Sequence, residues 1–185
     1  MSTVIRTWLG FAALGAALIH LAVGVTAPFL LSVLLVGFGI AELSWGIATL
    51  ASGRVIAPRV VVGAALIPVF IWGAIAALGS GLGVPSAQTG LPWYPMTMAS
   101  LFNIYVAATV ALAMRRASSR NPPSVGAASP GGWRFLTGLV VGGFLLSALT
   151  TPALAATDVG SLAVPHGSHR VVELDVPDPG GHGGH

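Results

Sequence analysis

The stretch that decides the fold is Ala111-Leu112-Ala113-Met114-Arg115-Arg116-Ala117-Ser118-Ser119-Arg120-Asn121-Pro122-Pro123. An apolar run stops at two adjacent arginines, and a polar segment with paired prolines takes over. Basic residues that flank apolar helices stay on the cytoplasmic side of a membrane. Working outward, Arg54 and Arg59 separate two earlier apolar runs, Arg6 precedes the first run and Arg134 precedes the last. A path of five crossings, N-terminus inside and C-terminus outside, places Arg6, Arg54, Arg59, Arg115, Arg116, Arg120 and Arg134 on one side. Only Arg170 falls elsewhere. The expected fold is therefore an all-α integral membrane protein: a four-helix transmembrane bundle plus a fifth transmembrane helix, with the C-terminal tail outside.

Composition agrees. The 185 residues are 55% hydrophobic and 7% charged, with a mean hydropathy of +0.88. That is no soluble surface, so lipid is the solvent for most of the chain. The net charge of +3 and pI near 10.7 do not point to nucleic acid, because the arginines sit in short loops and form no basic face. With no cysteine, disulfides, thiolate metal sites and cysteine nucleophiles are excluded. The first apolar run resembles a signal peptide, but its small-residue exit at Val25-Thr26-Ala27 meets Pro28 and a second apolar run, which reads as a retained helix. Arginine without lysine, in an Ala-, Gly- and Val-rich chain, is associated with GC-rich bacterial genomes. The expected location is the bacterial cytoplasmic membrane.

Helices are predicted from about Thr7 to Val25, Phe29 to Ala51, Val60 to Leu78 with Pro68 inside, Met96 to Met114, and Trp133 to Ala155. Residues 1–116 form the four-helix unit, 117–132 a cytoplasmic linker, 133–155 the fifth helix, and 156–185 a flexible, His-rich extracytoplasmic tail. Gly79 to Pro95 reads as an external loop ending in the interfacial aromatics Trp93 and Tyr94. Gly15-Ala16-Ala17-Leu18-Ile19 recurs as Gly63-Ala64-Ala65-Leu66-Ile67, a match that fits a parallel hairpin duplication and that Ala/Gly-rich helices also produce by chance. The small residues Ala153 and Ala155 either simply end the helix or form a signal-peptidase site, where cleavage after Ala155 would release the tail.

Two side chains in the predicted hydrocarbon region ionise readily near neutral pH, His20 and Glu42. At 1.5 Å of rise per residue they lie at similar depths, and the short Thr26-Ala27-Pro28 turn makes their helices antiparallel neighbours. A mid-membrane carboxylate costs a few kcal/mol, so Glu42 is expected to be protonated, paired with His20, or facing a polar cavity. Gly39 and Gly46, opposite Ala13, Ala16 and Ala17, permit close helix approach. Asn103 is the third candidate for the same interior. A proton relay or ligand site fits these residues, as does a hydrogen-bonded staple that fixes helix register. A haem held by two histidines of one bundle is not expected, because His20 is the only intramembrane histidine, which leaves only a single-ligand or intersubunit haem. No HExxH, Walker or GxSxG motif occurs, so no enzyme is expected.

The tail carries a second constellation: His166-Gly167-Ser168-His169 and His182-Gly183-Gly184-His185, with Glu173, Asp175 and Asp178 between them. Imidazoles on a glycine-rich chain suit Cu(II), Zn(II) or Ni(II), and the thioethers of Met96 and Met98 add Cu(I) donors. The expected metal set is thus His166, His169, His182, His185, Met96 and Met98, with copper favoured. Three functions follow as expectations: an accessory or homeostasis factor binding copper through its tail, a small transporter or proton-coupled subunit using His20 and Glu42, or a structural subunit of a larger membrane complex or homo-oligomer.

Overall fold

Residues 1–81, 91–119 and 132–162 are described by a computed structural model. Five helices long and apolar enough to cross a membrane make up nearly all of it, and no strand occurs among the described residues. They are α1 (Thr3–Thr26), α2 (Phe29–Ser52), α3 (Pro58–Gly81), α4 (Trp93–Ser118) and α5 (Gly132–Ala155), followed by a single turn, α6 (Asp158–Ser161). The chain is a multi-pass membrane protein.

The helices run longer than hydropathy alone indicates, because polar residues and prolines set their ends. Ser2 caps α1, its Oγ accepting from the Ile5 amide at 3.3 Å, so the helix begins at Thr3 instead of Thr7. Pro58 opens α3, a position where its missing N–H is not needed. Pro92 precedes α4, which starts at Trp93 and so takes both expected interfacial aromatics into its first turn. At its far end α4 continues past Arg115-Arg116, where the Ser118 and Ser119 hydroxyls donate to the Met114 and Arg115 carbonyls.

Helix α1 is the axis of the assembly. Eleven of its 24 residues are buried, among them Leu9, Ala16, Ile19, His20 and Val23, and α2, α4 and α5 all pack on it. Helix α3 packs chiefly on α4. The fifth helix is thus an integral part of the bundle, while α3 is peripheral. The Trp8 indole ties α5 in place by donating to the Gly138 carbonyl at 2.7 Å. This asymmetry leaves the two Gly-Ala-Ala-Leu-Ile copies in unlike settings. A Cβ on Gly15 would lie 2.6 Å from Leu146 and 3.0 Å from Phe102, whereas one on Gly63 would meet nothing within 4 Å.

The α1–α2 seam is built on glycine. A Cβ on Gly39 would lie 2.7 Å from Leu21 Cγ and 3.1 Å from the Ala17 carbonyl oxygen, and one on Gly46 3.2 Å from the Gly10 carbonyl oxygen. Backbones this close gain dispersion contact along their length, which is what holds helices together in lipid, where apolar burial gives no net drive.

The tail, expected to be extended from Ala156, begins instead with a folded turn. Thr157 donates to the Leu154 carbonyl at 2.7 Å and accepts from the Gly160 amide at 3.0 Å, and α6 packs against α1 and α5. The linker from residue 120 to 131 and the tail beyond residue 162 lie outside the described residues.

Candidate functional site

Within the bundle, the polar side chains from α1, α2 and α4 meet at one carboxyl group. His20 Nδ1 lies 2.8 Å from Glu42 Oε2, and Asn103 Nδ2 donates to Glu42 Oε1 at 2.8 Å. Both oxygens of Glu42 are therefore engaged, each by a different helix. His20 and Asn103 are each 1% exposed, and the Glu42 side chain is 12% exposed. This accounts for how a carboxyl is tolerated at such depth: partners replace the water that lipid cannot supply.

Helix direction explains the meeting. In an α-helix the Cα–Cβ bond tilts toward the N-terminus. Because α1 and α2 are antiparallel, His20 leans away from the shared turn and Glu42 leans toward it. By rise per residue, His20 lies about 9 Å from the end of α1, and Asn103 about 15 Å from the start of α4. The site thus belongs to the half of the bundle nearer the Ala27-Pro28 turn. Gly39 and Gly46 flank Glu42 on α2, and the close backbone approach they allow lets a short imidazole reach the carboxyl directly.

A carboxyl held this way can accept hydrogen bonds when ionised and donate one when protonated. The adjoining imidazole can hold a proton on either nitrogen. Together they place two proton-bearing groups side by side inside an apolar bundle, with a neutral amide on the second carboxyl oxygen.

The sequence-derived trio of His20, Glu42 and Asn103 is brought together. The methionines are not: Met96 is buried in the core at 2% exposure, while Met98 faces a groove between α1, α4 and α5. Two residues apart on a helix are about 200° apart around its axis, which separates the thioethers. His166, His169, His182 and His185 lie outside the described residues. Among the described residues no group of three or more His, Asp or Glu side chains is assembled as for a metal ion. Ser44, a further polar residue of α2, is turned back onto its own helix, donating to the Ile40 carbonyl at 2.7 Å.

Sequence reasoning did not find the aromatic tie between Trp8 and Gly138 or the buried hydroxyls of Thr49 and Thr150, which have no hydrogen-bond partner among the described residues. Nor did it find a second tie, in which the Trp45 indole donates to the Ile56 carbonyl at 2.9 Å and folds the α2–α3 loop onto the bundle. The pairing of a membrane tryptophan with a carbonyl on another segment leaves no local pattern. Comparison of the chain with protein-family models, with curated proteins and with solved structures finds no match.

Proposed function

We propose that the chain is a non-enzymatic protein of the bacterial cytoplasmic membrane in which the Glu42 carboxyl is a reversible proton-binding group, making it a small proton-coupled carrier or subunit. The observation that carries this reading is the engagement of both Glu42 oxygens, by His20 and by Asn103, within an apolar bundle. A staple between two helices needs only one such contact, and a neutral amide would supply it at lower desolvation cost. An acid beside an imidazole adds what an amide pair lacks, a proton that can change owners.

The proposed orientation has the N-terminus inside. It is supported by the gathering of Arg6, Arg54, Arg59, Arg115 and Arg116 at one end of the bundle, as the asymmetry of basic residues across membranes requires. The test of function is reconstitution of the full chain in vesicles loaded with a pH-sensitive dye. After an imposed pH step, proton entry should exceed that of empty vesicles, and Glu42→Gln should return it to the empty-vesicle rate while still inserting. Wild-type vesicles that behave as empty ones would sink the reading.

A second reading rests on the tail sequence. The two His-x-x-His pairs, His166/His169 and His182/His185, are a donor set for copper outside the membrane. An accessory protein for copper delivery or homeostasis would use them. Metal analysis of the purified chain beside one truncated after Ala155 separates the readings: copper lost with the tail supports this one, and equal copper in both removes it.

A further inference from the structure

The arginines that membrane topology gathers at one end of the bundle also stand around cavities. Arg6, Arg54, Arg59, Arg115 and Arg116 all line cavities there. Among the described residues the carboxylates are Glu42, engaged by His20 and Asn103 inside the bundle, and Asp158, in the turn after α5. Among the described residues neither forms an ion pair with an arginine, so no described acidic side chain offsets the charge of these guanidiniums.

We propose that this end binds an acidic phospholipid, its phosphate held between Arg6 and Arg54. A cavity of about 380 Å³ opens between the start of α1, the loop after α2 and the end of α4. Arg6 and Arg54 line it together with the apolar side chains of Val110, Ala113 and Met114, of which Val110 is buried. Gly53 lines it too. Its φ of +64° turns the chain sharply, and the Arg6 guanidinium lies 3.8 Å from the position a Cβ would occupy there. Arg54 follows immediately and is exposed.

A planar guanidinium presents paired N–H donors that match two phosphate oxygens, and two of them matched to one phosphodiester neutralise charge that the described carboxylates leave open. The apolar part of the lining decides the class of ligand. Free phosphate has no use for Val110, Ala113 and Met114, whereas a phosphoglyceride brings its glycerol and first acyl carbons to that depth. Basic pockets between helices on the side bearing the positive charges are where lipid headgroups of this kind are recognised.

The experiment is thermal unfolding of the full chain in uncharged detergent, with phosphatidylglycerol, phosphatidylcholine or inorganic phosphate added. Phosphatidylglycerol should raise the midpoint and the other two should not. Arg6→Lys with Arg54→Lys keeps the charge, and hence the topology, but removes the fork. Its affinity for phosphatidylglycerol should fall about fivefold, the equivalent of one lost hydrogen bond. Arg59→Lys, outside this cavity, should retain the wild-type affinity. Equal shifts with phosphatidylcholine, a full shift with inorganic phosphate alone, or an undiminished affinity in the double variant would each overturn the proposal. If the double variant does not fold, native mass spectrometry of the wild-type chain in an equal mixture of the two lipids decides instead. Preferential retention of phosphatidylglycerol supports the site, and equal retention removes it.

Discussion

Asn103 donates to Glu42 across 61 residues of sequence, at 2.8 Å, joining α4 to α2 although the backbones of these two helices hardly meet. The carboxyl group is therefore the link between them. Removing the amide in Asn103→Ala leaves one carboxylate oxygen without a donor in a water-poor interior, which costs about 1–3 kcal/mol. Glu42→Gln keeps the shape and an acceptor oxygen, and should cost less than about 1 kcal/mol. Thermal unfolding in detergent micelles should rank the two in that order. The Asn103→Ala/Glu42→Ala double variant should be less destabilised than the sum of its singles, since each single leaves a partner stranded. A strictly additive result would show that the bond contributes nothing.

The glycine seam predicts a contrast between glycines that look alike in sequence. Gly39→Ala brings a methyl group to 2.7 Å from Leu21 Cγ, so α1 and α2 must separate or repack, at about 1–3 kcal/mol. Gly37→Ala and Gly63→Ala place theirs where nothing lies within 4 Å, and both gain helix propensity. Their midpoints should be unchanged or higher. Equal loss at Gly39 and Gly37 would mean that the helices do not pack at this register.

The Trp8 indole gives a test of how firmly α5 belongs to the bundle. Trp8→Phe retains most of the apolar contact and deletes the hydrogen bond to the Gly138 carbonyl, worth about 1 kcal/mol or somewhat less in lipid. Gly142→Val should cost more, because even a Cβ there would lie 2.6 Å from the indole nitrogen. Limited proteolysis that cuts between α4 and α5 should release α5 more readily from both variants than from the wild type, and in that order. Release already complete in the wild type would make α5 an independent span.

Much of the site was legible because it depends on spacing. His20 and Glu42 flank a turn too short to let their helices part, and Gly39 and Gly46 lie one helical repeat apart around the acid. The arrangement of helices was not legible in the same way. Every span is apolar on all sides, so hydropathy does not distinguish a lipid-facing side from a buried one, and the central place of α1 is carried by small residues such as Ala12, Ala16 and Gly24 instead. The helix ends escaped for a different reason. Ser2, Pro58 and Pro92 start helices through capping and fixed φ, which hydropathy does not register. The tail histidines lie beyond the described residues, and their part in the reading rests on sequence.

The turn after α5 bears on whether that tail stays attached. Signal peptidases act on extended chain, with small residues at the two positions that Ala153 and Ala155 would fill. Here α5 stays helical through Ala155, and Ala153 is fully buried. Thr157 then closes the chain back on Leu154, and Gly160 packs so tightly on the Leu154 carbonyl and Ala155 that any Cβ would collide with both. The chain purified from membranes should consequently have its full mass. Thr157→Val with Gly160→Val removes the two hydrogen bonds of the Thr157 hydroxyl, each worth about 1 kcal/mol, and blocks closure of the turn. Intact-mass measurement should then find a fraction cut after Ala155. A wild-type chain already cut there would show that the turn does not protect the bond, and would detach the four tail histidines from the membrane domain.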